Sequence, residues 1–254
     1  MRSIESPPVR AIYRLLNAAI RLGLCILVLL PVPNLAADEI AQNSKSRAVV
    51  SRVSAKLAGE LERQNFVPGA PLFVRIFKAE RVLEVWLRAK QGFRHFKSYP
   101  ICAYSGAVGP KLAQGDRQSP EGFYFVTPRR LNPWSRYHLS FDLGYPNAYD
   151  RAHRRTGDFL MVHGDCVSIG CYAMTNPGIE EIYTLASMAL SNGQGFFRVH
   201  VFPFRLSDEN LARHSNSPWQ SFWQNLRIGY DWFEQHRLPP NVEVNHRKYV
   251  FSAQ

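Results

Sequence analysis

His163-Gly164-Asp165-Cys166-Val167-Ser168-Ile169-Gly170-Cys171 places an imidazole eight positions before a thiol, with a glycine beside each. Phe159-Leu160-Met161-Val162 lead into it, and the run Asp158 to Val162 predicts a buried strand with His163 held at its end. A thiol performs acyl transfer only as thiolate, so it needs a base to take its proton. Gly170 before Cys171 lets the backbone approach a substrate carbonyl closely and frees nearby N–H groups for an oxyanion hole. The spacing therefore predicts a catalytic pair, with Cys171 as nucleophile and His163 as general base and acid.

His-Gly followed shortly by Ser-x-Gly-Cys resembles the signature of the L,D-transpeptidase (YkuD-type) catalytic domain family of bacterial cell-wall enzymes. Many members have a longer gap, read Ser-His-Gly-Cys, and carry Arg or Asn soon after the cysteine. Here the gap is short, Ile169 stands for the second histidine, and Tyr172-Ala173-Met174 follows. With Gly115-Asp116-Arg117-Gln118-Ser119-Pro120-Glu121-Gly122-Phe123-Tyr124 and Leu143-Gly144-Tyr145-Pro146-Asn147-Ala148, those features resemble the YafK-like branch. The resemblance spans roughly Pro71 to Phe204 and implies a diaminopimelate carbonyl of a peptidoglycan stem peptide as the group attacked. It further implies Ser168, Gly170, Tyr172 and Gly164 as the shell around the pair, with no metal and no organic cofactor. Release of murein-bound lipoprotein is associated with that branch, beside cross-linking.

The remaining pattern predicts a β-rich α+β domain, which agrees with the implied YkuD-type fold of mixed β-sheets with flanking N- and C-terminal helices. Val49, Val50, Val53, Leu57 and Leu61 predict an amphipathic helix over 48–61. Strands are predicted at 72–77, 83–87, 95–101, 122–127, 159–162 and 196–202, with a helix over 179–190 beyond Asn176-Pro177-Gly178. Trp219, Phe222, Trp223, Leu226, Tyr230 and Phe233 predict a second helix with one aromatic face, packed on the domain. The segment 242–252 reads as a tail or an edge strand. The domain division is thus 1–37 leader, 38–70 helix and linker, 71–204 catalytic domain, and 205–254 helical extension.

Arg2, Arg10, Arg14 and Arg21 before an apolar run from Leu22 to Val32, then Pro31, Pro33 and Leu35-Ala36-Ala37, predict a secretory signal. An uncleaved anchor is the alternative; Cys25 sits inside the apolar core and is not a lipidation site. Export to the periplasm follows. The chain carries +11, and loss of four arginines and one glutamate with the signal leaves +8. A basic excess favours polyanions in general. No zinc finger, RNP motif or recognition-helix pattern is present, so nucleic acid is excluded as a partner in favour of peptidoglycan stem peptides and phospholipid head groups.

Beyond the leader stand Cys102, Cys166 and Cys171, and an odd count in an oxidising compartment predicts one bridge and one free thiol. A free Cys171 makes Cys102 and Cys166 the candidate disulfide, with three reduced cysteines as the alternative. The irregular stretch from Pro128 to Gly157 supplies aromatic and arginine side chains, of which His138, Tyr145, Arg151 and Arg155 are candidates for binding a carboxylate-bearing peptide. An ordinary surface loop with core-anchoring aromatics is the bland reading of the same residues. Two other classes remain open: a zinc site of His163, Cys166 and Cys171 with His138 or His153, and a non-catalytic peptidoglycan-binding module. A papain-like peptidase is excluded, because its cysteine precedes its histidine by over a hundred residues.

Overall fold

The computed structural model describes residues 39–254. The predicted signal lies outside the described residues. Helix α1 (Ser44–Arg63) opens on an Asn43 capping box, in which Asn43 Oδ1 accepts from Ser46 N–H and Ser46 Oγ accepts from Asn43 N–H. Its buried positions Val49, Val53, Leu57 and Leu61 recur every four residues, so one stripe of the helix enters the core.

Strands β1 (Leu72–Phe77), β2 (Val82–Ala89) and β3 (Gly92–Pro100) follow as antiparallel neighbours. Then come β4 (Ala103–Tyr104), β5 (Gly122–Val126), β6 (Leu131–Asn132) and β7 (Ser140–Asp142). Helix α2 (Ala148–Ala152) precedes β8 (Met161–His163), β9 (Tyr172–Ala173), α3 (Asn176–Ser191) and β10 (Phe197–Phe202). The C-terminal part holds α4 (Asp208–Arg213), α5 (Gln220–His236) and a hairpin of β11 (Asn241–Asn245) and β12 (Lys248–Ser252). One five-stranded sheet runs β3-β2-β1-β10-β5 and a second runs β4-β9-β8-β7-β6.

Every residue of β1 is buried, because both faces of the first sheet are covered. Leu72, Val74 and Ile76 face a core shared with the second sheet and with Val53, Leu57 and Ile182 of the helices α1 and α3. Phe73 and Phe77 face the opposite way, under the C-terminal extension. Arg75 lies between them on that second face, 1% exposed, paired with Glu234 at 2.7 Å and ringed by Tyr230, Phe233 and Phe77.

Four expectations shift. The strand expected over 159–162 is Met161–His163 instead. Phe159 is excluded from it by a left-handed φ of 53° and is 69% exposed. Helix α3 begins at Asn176 rather than beyond Gly178. Pro177 falls in its first turn, where no N–H is needed, and Thr175 Oγ1 caps the Gly178 N–H. The irregular 128–157 stretch contains a 3-10 turn (Pro128–Arg130), two short strands and α2. The segment 242–252, expected as a tail or an edge strand, is a two-stranded hairpin of β11 and β12.

Candidate active site

Strands β8 and β9 run parallel, with Val162 opposite Tyr172 and His163 opposite Ala173. The eight residues 164–171 loop between them and carry the thiol back to the start of β9. Gly164 N–H donates to Tyr137 O, and Met174 N–H donates to His163 O at 2.7 Å. A Cβ on Gly164 would lie 2.4 Å from Asn176 Oδ1, the atom that accepts the Asp165 N–H, so only glycine fits beside the histidine. Cys102 and Cys166 are joined in a disulfide that pins the loop to the segment before β4, and among the described residues Cys171 is the free cysteine. Cys166 is therefore unavailable to the three-ligand zinc site left open by the sequence. Among the described residues no cluster of three or more His, Cys, Asp or Glu groups is arranged to hold a metal.

His163 is 2% exposed, and its Nδ1 lies 2.6 Å from the Gly164 carbonyl oxygen. A carbonyl only accepts, so Nδ1 carries the proton and Nε2 is left as the basic nitrogen. The ring stacks on Tyr137, with centroids 4.6 Å apart. Burial holds the imidazole below its ordinary pKa. Burial also raises the Cys171 thiol, against which the Met161 N–H, 3.4 Å from Sγ, and the Lys111 ammonium act in the opposite direction. Both shifts favour uncharged forms, so at neutral pH the pair rests as thiol and imidazole rather than as an ion pair.

A cluster of three serines holds the backbone carbonyl of Cys171. Ser168 Oγ donates to the Cys171 carbonyl at 2.8 Å and accepts from Gly170 N–H at 3.1 Å. Ser119 Oγ donates to the same carbonyl at 3.1 Å and accepts the Ser105 N–H. Ser105 Oγ lies 2.8 Å from Ser168 Oγ, which closes the network. Tyr172 supports the loop from beneath; its side chain is buried and its hydroxyl donates to Pro120 O at 2.6 Å.

His163 and Cys171 line one cleft of about 440 Å³, together with Gly170 and Ser168. Phe159, Val167 and Ile169 form an exposed apolar mouth, with Ile169 82% exposed. Lys111 and Asp158 add one charge of each sign to the wall. The Lys111 ammonium is held by Ala113 O and Asp116.

The four side chains expected to bind substrate lie elsewhere. His138 bonds Glu180 at 2.9 Å through Nε2. Tyr145 is buried, with its hydroxyl on Lys111 O and Thr156 O. Arg155 is buried against Asp150 at 2.7 Å and stacks over Tyr149 and Phe222, so its charge is spent on the fold. Arg151 is exposed and donates to Pro146 O, outside the cleft. From that stretch Tyr137 is the residue that reaches the cleft wall. Lys111, Ser105 and Ser119 escaped the sequence reading because they stand more than 50 residues before Cys171 and no local spacing links them to it. The block around Ser119 stood out only as part of the resemblance.

A scaffold of two sheets that sets one free thiol and one neutral imidazole in a single cleft defines a cysteine–histidine site. Residues 72–201 match the L,D-transpeptidase catalytic domain (YkuD). The chain is 45% identical over 227 residues, 89% of its length and 89% of the relative's, to "Putative L,D-transpeptidase YafK" of Escherichia coli (strain K12). Solved structures similar to it include the helical cell shape determining protein Pgp2 from Campylobacter jejuni, at 16% identity and TM-score 0.42 over 79% of this chain and 80% of that one. Another is Bd1075 of Bdellovibrio bacteriovorus, at 22% identity and TM-score 0.37 over 66% of this chain and 67% of that one. The chain belongs to the L,D-transpeptidase catalytic domain (YkuD) family.

Proposed function

We propose that the protein is an exported cysteine acyl-transfer enzyme acting on the diaminopimelate carbonyl of peptidoglycan stem peptides. The observation that carries this reading is the His163 tautomer: Nδ1–H is tied to Gly164 O, so the basic Nε2 is free to serve the one unbonded thiol of the same cleft. The Cys171 proton passes to His163 as Sγ attacks the carbonyl carbon. Gly170 N–H is engaged by Ser168 and Tyr172 lies in the β9 ladder, so the Cys171 N–H is the proposed oxyanion donor. Collapse of the adduct expels an amine, which takes the proton from His163 and leaves a thioester. Water or an amine then resolves the thioester, with His163 again removing the proton. Asp158 on the cleft wall suits the ammonium of the diaminopimelate side chain.

Water is the favoured acceptor, with release of a murein-bound lipoprotein as the outcome. Where many relatives of the fold carry a second histidine, Ile169 stands exposed at the mouth, so the cleft offers no second imidazole to deprotonate an incoming ammonium. The second reading is transfer to an amine, either forming 3–3 cross-links or attaching lipoprotein. It draws on the name of the relative at 45% identity. The deciding experiment incubates the enzyme with sacculi carrying covalently bound lipoprotein, and separately with tetrapeptide muropeptides. Released protein without new cross-links is expected. Cross-linked dimers with no protein released reverse the order of the two readings. Retention of either activity in Cys171→Ala removes the nucleophile assignment, whereas a wild-type protein that binds sacculi and shows neither activity leaves a binding module as the better account.

A further inference from the structure

Lys78 and Glu121 are both fully buried and paired at 3.1 Å, away from the cleft and with no part in the chemistry above. Buried ion pairs are costly unless every remaining donor and acceptor is satisfied. Here they are satisfied by the segment between β4 and β5, whose Ser119 bonds the Cys171 carbonyl, and by α5. Lys78 Nζ donates to Gly109 O at 2.7 Å and to Ser119 O at 3.0 Å. Glu121 Oε1 accepts the Gly109 N–H at 2.6 Å, and Oε2 accepts the Trp223 indole N–H at 2.9 Å. Trp223 stands on α5, beyond the span 72–201 that matches the family. A neighbouring tryptophan presses on the same loop: a Cβ on Gly109 would lie 2.7 Å from Trp219 Nε1.

We propose that Trp223 is a positioning residue for the nucleophile, acting through Glu121 and Lys78 on Ser119, and through Ser119 on the Cys171 carbonyl. The chain of contacts is unbroken and runs through buried groups, where hydrogen bonds resist competition from water. Its two ends differ in kind. Trp223 belongs to the C-terminal extension, whereas Ser119 Oγ touches the peptide of the reacting residue. Fixing that carbonyl fixes Sγ against the Met161 N–H, the backbone donor that stabilises the thiolate. The extension thus sets the reactivity of a thiol that it does not touch.

The inference rests on Cys171 as the reacting thiol but not on its substrate, so its primary readout needs none. The rate of alkylation of Cys171 by iodoacetamide is followed across pH by peptide mass spectrometry of the full chain. Trp223→Phe keeps the aromatic ring and removes only the N–H. Ser119→Ala breaks the other end of the same chain and leaves Lys78 and Glu121 intact. Each is expected to move the alkylation midpoint to higher pH and to slow alkylation at neutral pH about tenfold, the effect of about one pKa unit on thiolate fraction. The double variant is expected to be no slower than the slower single, because both act on one contact chain. On sacculi, kcat falls and KM stays. Phe233→Leu, a buried change elsewhere on α5, lowers stability without moving the alkylation midpoint. A wild-type midpoint in Trp223→Phe or in Ser119→Ala, additive effects in the double variant, or the same shift in Phe233→Leu overturns the proposal. Loss of the peptidoglycan reading would leave the alkylation result standing.

Discussion

Cys171 and His163 are both pushed towards their uncharged forms by burial, and that fixes the pH behaviour of the pair. An imidazole with a lowered pKa stays unprotonated, and able to accept the thiol proton, at pH values below the ordinary imidazole value of about 6.5. The acid limb of kcat/KM should therefore lie below that value, since activity is lost only when His163 gains a proton. Titration of kcat/KM against pH checks this, and an acid limb above 6.5 would mean that the histidine is charged at rest. His163→Ala should cost roughly 10²–10⁴-fold in rate, the usual worth of general-base assistance. Its residual activity should lose the acid limb altogether.

The loop between β8 and β9 is held by short-range and long-range ties. The backbone bonds of Gly164 and Met174 anchor its ends, and the serine cluster grips its tip. The Cys102–Cys166 bridge spans 64 residues of sequence, which in the loop-closure description is worth about 4 kcal/mol of stability. Cys102→Ser should accordingly lower the unfolding midpoint in non-reducing urea by that order, and should leave Cys166 as a second alkylatable thiol. An unchanged midpoint would mean that β4 and β9 hold the segment without the bridge.

The molecule has two cores, one on each face of the first sheet. The family-matched part alone leaves Phe73, Phe77, Phe123 and Phe202 without the cover that α5 and the β11–β12 hairpin supply. Arg75 lies on that face too, and the same deletion removes Glu234, its ion-pair partner, with the Tyr230 and Phe233 rings that cover it. Deletion of 205–254 should therefore give an aggregating or dye-binding protein rather than a small active domain. Soluble yield and fluorescence of a hydrophobic dye measure this. A monomeric, folded 39–204 fragment would show that the first core suffices.

The sequence by itself determined most elements whose signal is local. The strand Leu72–Phe77 is a continuous run of mostly apolar residues, α1 repeats its apolar residues every four positions, and the aromatic stripe of α5 is legible for the same reason. Cys171 and His163 were legible as a candidate nucleophile and base because they bracket one short loop, and cysteine parity pointed to the bridge before any geometry did. Tertiary structure alone decided what surrounds them. His138, Tyr145, Arg151 and Arg155 have the chemistry of a binding wall, yet hydrogen bonding, packing and, for Arg155, ion pairing take each of them out of the cleft. Lys111 enters it from the first half of the chain, Ser105 and Ser119 brace the Cys171 loop from the same half, and Trp223 bonds Glu121 beside them from the last. Periodicity records which face of an element is apolar, because that depends on residues three or four apart. Which distant side chains share a cavity depends on sheet order and loop closure, and no spacing in the sequence encodes that.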